Sequence, residues 1–133
     1  LNYVCANNVV KGVGKTTYTQ ALNSKAGIES DYTVTQSAEN EFFIVTGTAF
    51  SVHDFGWLEK MRREHSFDGV EITNITKDLA CFGLMGPKSR TILQSLTDAD
   101  LSHAAFPFMR LLCFPGLILG RAMPRVERSL PHR

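Results

Sequence analysis

Tyr18–Gln36, YTQALNSKAGIESDYTVTQ, is the stretch on which the fold turns. It reads as two strands joined by a tight loop of small residues. Asn23 and Ser24 can bond local backbone, and Gly27 can take a positive φ at no steric cost. After the loop, Tyr32, Val34 and Gln36 alternate with Thr33 and Thr35, a period-two pattern rich in β-formers. One acid, Asp31, stands at the mouth of the second strand. Any chemistry in this chain belongs where Asp31 meets that loop.

The flanks extend the pattern. Leu1 to Asn8 reads as the tail of a helix ending at Asn7-Asn8. Val9 to Lys15 is a linker containing Gly12 and Gly14. The strands themselves are expected at Thr16–Asn23 and Asp31–Gln36, followed by a polar turn over residues 37–40. Glu41 to Gly47, EFFIVTG, is a continuous apolar run of strand length and is expected to be buried. Thr48 to His65 should be a helix with Val52, Phe55, Leu58 and Met61 on its apolar face. Val70 to Thr76 and the apolar run LACFGLMG after Asp78 read as two more strands. Pro87 suits the first turn of a helix reaching Leu96, with Ser89, Ile92, Leu93 and Leu96 on one side. Thr97 is placed to cap a short helical turn up to Leu101. Hairpins mixed with two crossover helices make the class α+β, with a mostly antiparallel sheet.

Bulk composition narrows the function classes. The 133 residues fit one domain or part of one. With 14 Lys+Arg against 13 Asp+Glu, the net charge of +1 makes no electrostatic case for nucleic acid or a membrane surface. No apolar run approaches the roughly 20 residues of a bilayer span. Cys5, Cys81 and Cys113 are isolated and odd in number, so neither a disulfide framework nor a zinc site is indicated, and a reducing compartment is expected. No targeting signal is visible, and the opening Leu1 marks a piece of something longer.

Four local patterns invite chemistry. Gly12-Val13-Gly14-Lys15-Thr16-Thr17 looks like the end of a phosphate loop, but Val9 stands where its first glycine should be and β-rich sequence follows where a helix is needed. A plain linker is the better reading. Glu29 and Asp31, two apart on a strand, could share a face as a carboxylate pair; a surface turn also holds acids for solubility alone, and residue chemistry by itself favours that. His53, His65 and His103 lack partners at ligand spacing. Ser30, Ser89 and the cysteines have no neighbouring base in sequence.

A resemblance carries the reading further. Cys5-Ala6-Asn7-Asn8, then VGKTTYTQALNSKAGIESDYTVTQ, EFFIVTG, CFGLMGPKSRTILQSLTDADLS and AFPF resemble, block by block and in order, one family. It is the folate-binding aminomethyltransferase module of dimethylglycine and sarcosine dehydrogenases, related to the glycine cleavage T-protein. The match covers residues 1–108, a partial folate-binding domain, and leaves residues 109–133 as an unrelated tail expected to be irregular.

The resemblance implies tetrahydrofolate as cofactor, bound in a central hole between subdomains. In the dehydrogenases a separate flavin domain, which holds FAD and is absent from this chain, oxidises an N-methyl group. The one-carbon unit is then captured as 5,10-methylenetetrahydrofolate. The family loop L-N-x-x-G-G-I-x-x-D-x-x-V falls on Leu22, Asn23, Ala26, Gly27, Ile28, Asp31 and Val34. Asp31 inherits the catalytic acid. Leu22, Asn23, Gly27, Ile28 and Val34 inherit cofactor-binding positions, and Tyr18 on the preceding strand joins them as a pterin wall. Partners implied are folate and the flavin domain, with no nucleic acid and no membrane. The compartment would be the mitochondrial matrix in a eukaryote and the cytoplasm in a bacterium.

Two departures stand out. Ala26 replaces the first glycine of the Gly-Gly pair, and no Y-x-G-E-x-G-W-E segment, whose glutamate helps hold the pterin, follows Phe108. The expected function is therefore a fragment of a one-carbon transfer module, inactive alone. The alternative is a regulatory or interaction subunit built on the same module. A nucleotide-binding role through GVGKTT is weaker, because of Val9.

Overall fold

The computed structural model describes residues 1–114 and 117–121. Its centre is an antiparallel three-stranded sheet of β1 (Thr16–Leu22), β2 (Ile28–Ala38) and β3 (Glu41–Val45), in that spatial order. A 3-10 turn (Thr48–Phe50) leads into α1 (Ser51–Glu64), and α2 (Ser89–Gln94) follows after a long irregular stretch. The hairpin β4 (Arg110–Phe114) and β5 (Leu117–Arg121) forms a second sheet. The α+β class and the antiparallel sheet are as expected from the sequence.

The strand pair forms because alternation matches burial. On β2, Ser30, Tyr32 and Val34 turn inward while Asp31 is exposed. Ala21, Tyr32 and Val34 make the core with Val4, Cys5, Val9 and Leu58 of α1. Thr16 and Thr35, opposite each other in register, satisfy their buried hydroxyls mutually at 2.9 Å. The sheet continues beyond its ladder. Lys15 bridges to Arg110, and the Thr16 amide donates to the Met109 carbonyl at 3.0 Å, so β4 joins the entrance of β1.

Several expectations fail, each for a local physical reason. The N-terminal segment is not a helix tail. It makes one turn and then follows the free edge of β1, where Cys5 bridges Ala21 and the Ala6 amide donates to the Gln20 carbonyl at 2.8 Å. β3 is half-buried rather than buried, because it is an edge strand. Val70–Thr76 and Leu79–Gly86 form no strands, and Phe82 is 90% exposed. A strand needs a ladder partner, and among the described residues these runs have none. Thr97 caps no helical turn; its hydroxyl instead accepts from the Ala99 amide within a bend. Residues 110–114 and 117–121, expected to be irregular, pair as β4 and β5, while residues 115–116 and 122–133 lie outside the described residues.

Helix α1 forms where its periodicity places it, yet its buried stripe is rotated. Val52 is 87% exposed, whereas Asp54 and Leu58 are buried, with Trp57 and Met61 packed beside the core. An aspartate holds the inward position because partners await it there.

Tyr32 is wholly buried and its hydroxyl has no hydrogen-bond partner among the described residues. Burial pushes its pKa up to about 12, a shift that Ser30 tempers without meeting hydrogen-bond geometry. Removing an orphaned hydroxyl relieves a desolvation cost, so Tyr32→Phe should raise unfolding stability by about 1 kcal/mol in denaturant titration. A loss of stability would mean that the hydroxyl has a partner in solution.

Candidate functional site

The β1–β2 loop is built by one side chain. Asn23 Oδ1 accepts from the amides of Lys25 and Gly27, both at 2.9 Å, and Asn23 Nδ2 donates to Glu29 Oε1 at 2.7 Å. The Asn23 amide donates to the Gly27 carbonyl at 2.9 Å, closing the turn. The left-handed residue is Ala26, at φ 60, and not Gly27 as the sequence suggested. Gly27 is needed for space: a Cβ there would sit 2.9 Å from Asn23 Nδ2.

A bulge then sorts the acids. In register, Tyr18 faces Thr33, Gln20 faces Asp31, Ala21 faces Ser30, and Leu22 faces Ile28. The register shift between Ala21 and Leu22 leaves Glu29 as the extra residue. Residues paired across a ladder share a face, so Tyr18, Gln20, Leu22, Ile28 and Asp31 all present to one side of the sheet. Glu29 does not share it, and the two acids form no carboxylate pair. Asp31 lies inside β2, exposed, rather than at the strand mouth. The Tyr18 hydroxyl donates to Asp31 Oδ2 at 3.0 Å. That bond, with the charge of Asp31, pushes the Tyr18 pKa up and keeps the phenol a donor. Tyr18 is 51% exposed and Ile28 69%, so apolar and aromatic side chains share this face with the carboxylate and its cross-strand neighbour Gln20.

Behind this face lies a polar network that sequence reading missed. Thr46, just past β3, donates to the buried Asp54 carboxylate and approaches the Asp31 carbonyl at 3.5 Å. His53 Nδ1 lies 3.0 Å from Asp54 Oδ1, and its Nε2 lies 3.7 Å from Glu29 Oε2. His53 therefore does have partners, Glu29 from a strand 24 positions away and Asp54 beside it on its own helix. Burial pushes the Asp54 carboxyl up, but hydrogen bonds from Thr46, His53 and Ser30 outweigh it and hold it below the usual carboxylate range. No sequence signal marks this cluster, because the bulge and the docking of α1 create it.

Other expected positions resolve as follows. Val34 is 0% exposed in the core, opposite Asp31, so it shapes the sheet and touches nothing outside. The glycine string is no phosphate loop: Thr16 and Thr17 enter β1 directly. His65 stacks with Tyr3 at 4.4 Å between ring centres, and His103 lies beside the Arg90 guanidinium at 3.4 Å. Among the described residues no group of His, Cys, Asp or Glu could hold a metal, and no helix is long and apolar enough to cross a membrane.

The family model described as the GCVT N-terminal domain matches residues 1–114. The chain belongs to the GCVT family. Its match runs past Phe108, through β4. Dimethylglycine dehydrogenase of Rattus norvegicus, a mitochondrial protein, is 36% identical over 110 residues, covering 83% of this chain and 13% of that protein. The human protein is 37% identical over 103 residues, covering 77% and 12%. An aminomethyltransferase of Geobacillus thermodenitrificans is 34% identical over 109 residues, covering 81% and 28%. This GCVT chain thus spans a small part of the length of its relatives.

Two predictions follow from the loop and the network of this GCVT domain. Ala26→Gly should raise stability by about 1 kcal/mol, since alanine pays for the left-handed φ that glycine adopts freely. Gly27→Ala should lower it as the Asn23 amide is displaced; equal denaturation midpoints for the two variants would refute this account of the loop. Asp54→Asn should cost about 2 kcal/mol at neutral pH through lost charge-assisted bonds. Because the folded pKa of Asp54 is depressed, its contribution is present above the ordinary carboxylate value and lost as pH falls through the folded one. The stability gap between wild type and variant should therefore close on acidification below about pH 4. A gap independent of pH would rule out an ionised Asp54.

Proposed function

We propose that this chain is the N-terminal portion of a tetrahydrofolate-dependent aminomethyl or methylene transfer module, of the kind found in dimethylglycine and sarcosine dehydrogenases. One observation carries the reading. The motif carboxylate, Asp31, is exposed, oriented by Tyr18, and shares an open sheet face with Gln20 and the apolar Leu22 and Ile28. Tyr18, Leu22 and Ile28 offer a flat ring an apolar bed beside an anion, so the residues present fit a pterin.

Tetrahydrofolate, when bound, supplies the secondary amines that accept a one-carbon unit. Asp31 serves as the acid that stabilises developing positive charge on an incoming iminium substrate and holds the proton exchanged with the amine. Tyr18 is a positioning residue that fixes the Asp31 rotamer. Asn23 and Gly27 shape the loop rather than contact the ligand, and Val34 is left to the core. In the complete module α1 and α2 act as crossovers to further strands. The folate-binding portion takes in residues 1–108 and, by the extent of the family match, continues to residue 114. A flavin domain of the parent protein generates the substrate, in the mitochondrial matrix if the source is eukaryotic. The chain by itself carries no transfer activity.

Calorimetric titration with tetrahydrofolate tests the reading. Saturable binding, weakened about tenfold by Asp31→Asn and less by Tyr18→Phe, is expected, a tenfold change being about 1.4 kcal/mol. Absence of heat up to millimolar ligand would overturn it. Binding indifferent to Asp31→Asn would favour an interaction subunit that keeps the pocket without the chemistry.

A further inference from the structure

The glycine string that fails as a phosphate loop is nonetheless held rigidly. Gly12 and Gly14 adopt φ values of 101 and 77, which bend the chain back onto the end of β2. There the buried Gln36 fastens it. Its Oε1 accepts from the Gly12 amide at 2.9 Å, its carbonyl from the Gly14 amide at 2.8 Å, and its own amide donates to the Lys15 carbonyl at 3.1 Å. The Arg110 guanidinium donates to the Val13 carbonyl from the other side. A loop so fastened displays its side chains from a fixed frame.

What it displays is cationic. A cleft of about 390 Å³ lies beside it, lined by Asn7, Lys11, Lys15, Thr17, Tyr18 and Phe108 among others. Lys11 and Lys15 are exposed and form no ion pair among the described residues. Thr17 adds the second, independent feature. It is only 3% exposed, and its hydroxyl is buried with no hydrogen-bond partner among the described residues. Buried hydroxyls are rarely left unpaired, and one that lines a cleft with two free ammonium groups is a donor awaiting an acceptor.

We propose that this cleft is an oxyanion site for a carboxylate or phosphate group, bound by Lys11, Lys15 and the Thr17 hydroxyl. The site differs from a phosphate loop in that side chains, not a helix N-terminus, supply the donors. Tyr18 borders the cleft and also holds Asp31, whereas Thr17 pairs with Val34 on the other face, so the two sites meet across the edge of β1. A ligand whose reactive end sits at Asp31 would pass over that edge to lay an anionic tail here. If the folate reading above holds, on which this choice of source rests, that tail is the glutamyl group. The other source of the same chemistry is free phosphate.

The test titrates the full chain, at constant ionic strength, with inorganic phosphate, tetrahydrofolate and tetrahydropteroate, which lacks the glutamyl group. Amide and side-chain NMR shifts report the site. Phosphate should shift Lys11, Lys15 and Thr17 saturably. Lys11→Gln with Lys15→Gln should abolish that response, and Thr17→Val should weaken it while conserving shape; thermal unfolding checks that each variant folds. Tetrahydrofolate should bind wild type roughly tenfold more tightly than tetrahydropteroate, and the lysine double variant should lose that preference. A phosphate response with no preference between the two pterins keeps the site and assigns it to free phosphate. A phosphate response with no pterin binding keeps the site while the folate reading fails. No saturable shift at Lys11, Lys15 and Thr17 with either anion, or the same shift in the double variant, overturns the proposal.

Discussion

The register of β1 on β2, with its one irregularity at Glu29, is the constraint on which the rest depends. Side chains alternate along a strand, so a slip of one residue would bury Asp31 and expel Tyr32. Two groups prevent it. The Asn23 amide fixes where the loop ends, and Tyr32 and Val34 require the core. Within that register the extra residue does two jobs. It puts Ile28 opposite Leu22 on the face of Asp31, and it frees Glu29 to reach Asn23 and His53. Without the bulge, Glu29 and Asp31 would repel each other on one face and α1 would lose a contact with the loop.

Buried polar groups then tie the sheet to everything that is not sheet. Gln36 fastens the Gly12–Lys15 loop at one end of β2. Asp54 and Thr46 fasten α1 and the exit of β3 near its middle. Gln36 and Asp54 are buried and both are satisfied, which is the condition for a polar group to specify structure rather than weaken it. Thr17 and Tyr32 are the counter-examples, buried hydroxyls without partners among the described residues. Tyr32 sits in the core, where nothing can reach it. Thr17 borders a cleft, where something can.

Legibility in the sequence followed the range of the interactions. The hairpin was readable because alternation, loop residues and strand length all lie within Tyr18–Gln36. Helix α1 was readable from its period, but its buried stripe was not, since apolarity alone cannot foresee an aspartate drawn inward by Thr46. The runs at Val70–Thr76 and Leu79–Gly86 have strand composition and, among the described residues, no strand partner, so composition misled. Asp31 and Tyr18 were singled out and do meet. His53 was set aside because its partners come from β2 and its immediate neighbour, a geometry that only the docked helix creates. Ala26 is the sharpest case: the motif position that departs from glycine is the one that adopts φ 60. The family's glycine there answers a backbone demand, and this chain meets the demand at a conformational cost.

That cost bears on what the loop is for. An antiparallel sheet tolerates one solvated face, and polar side chains serve stability there as well as apolar ones. Folding alone therefore does not explain why Tyr18, Leu22 and Ile28 share the open side with the Asp31 carboxylate. Nor does it explain a strained alanine and a glycine crowded by Asn23, where a looser turn would close the hairpin. Packing explains Val34, whose neighbours are all core. It does not explain the residues on the other face, and these are the ones that the transfer reading uses. The division falls within a single strand: the even positions of β2 from Ser30 to Val34 build the fold, and Asp31 between them stands on the solvated face.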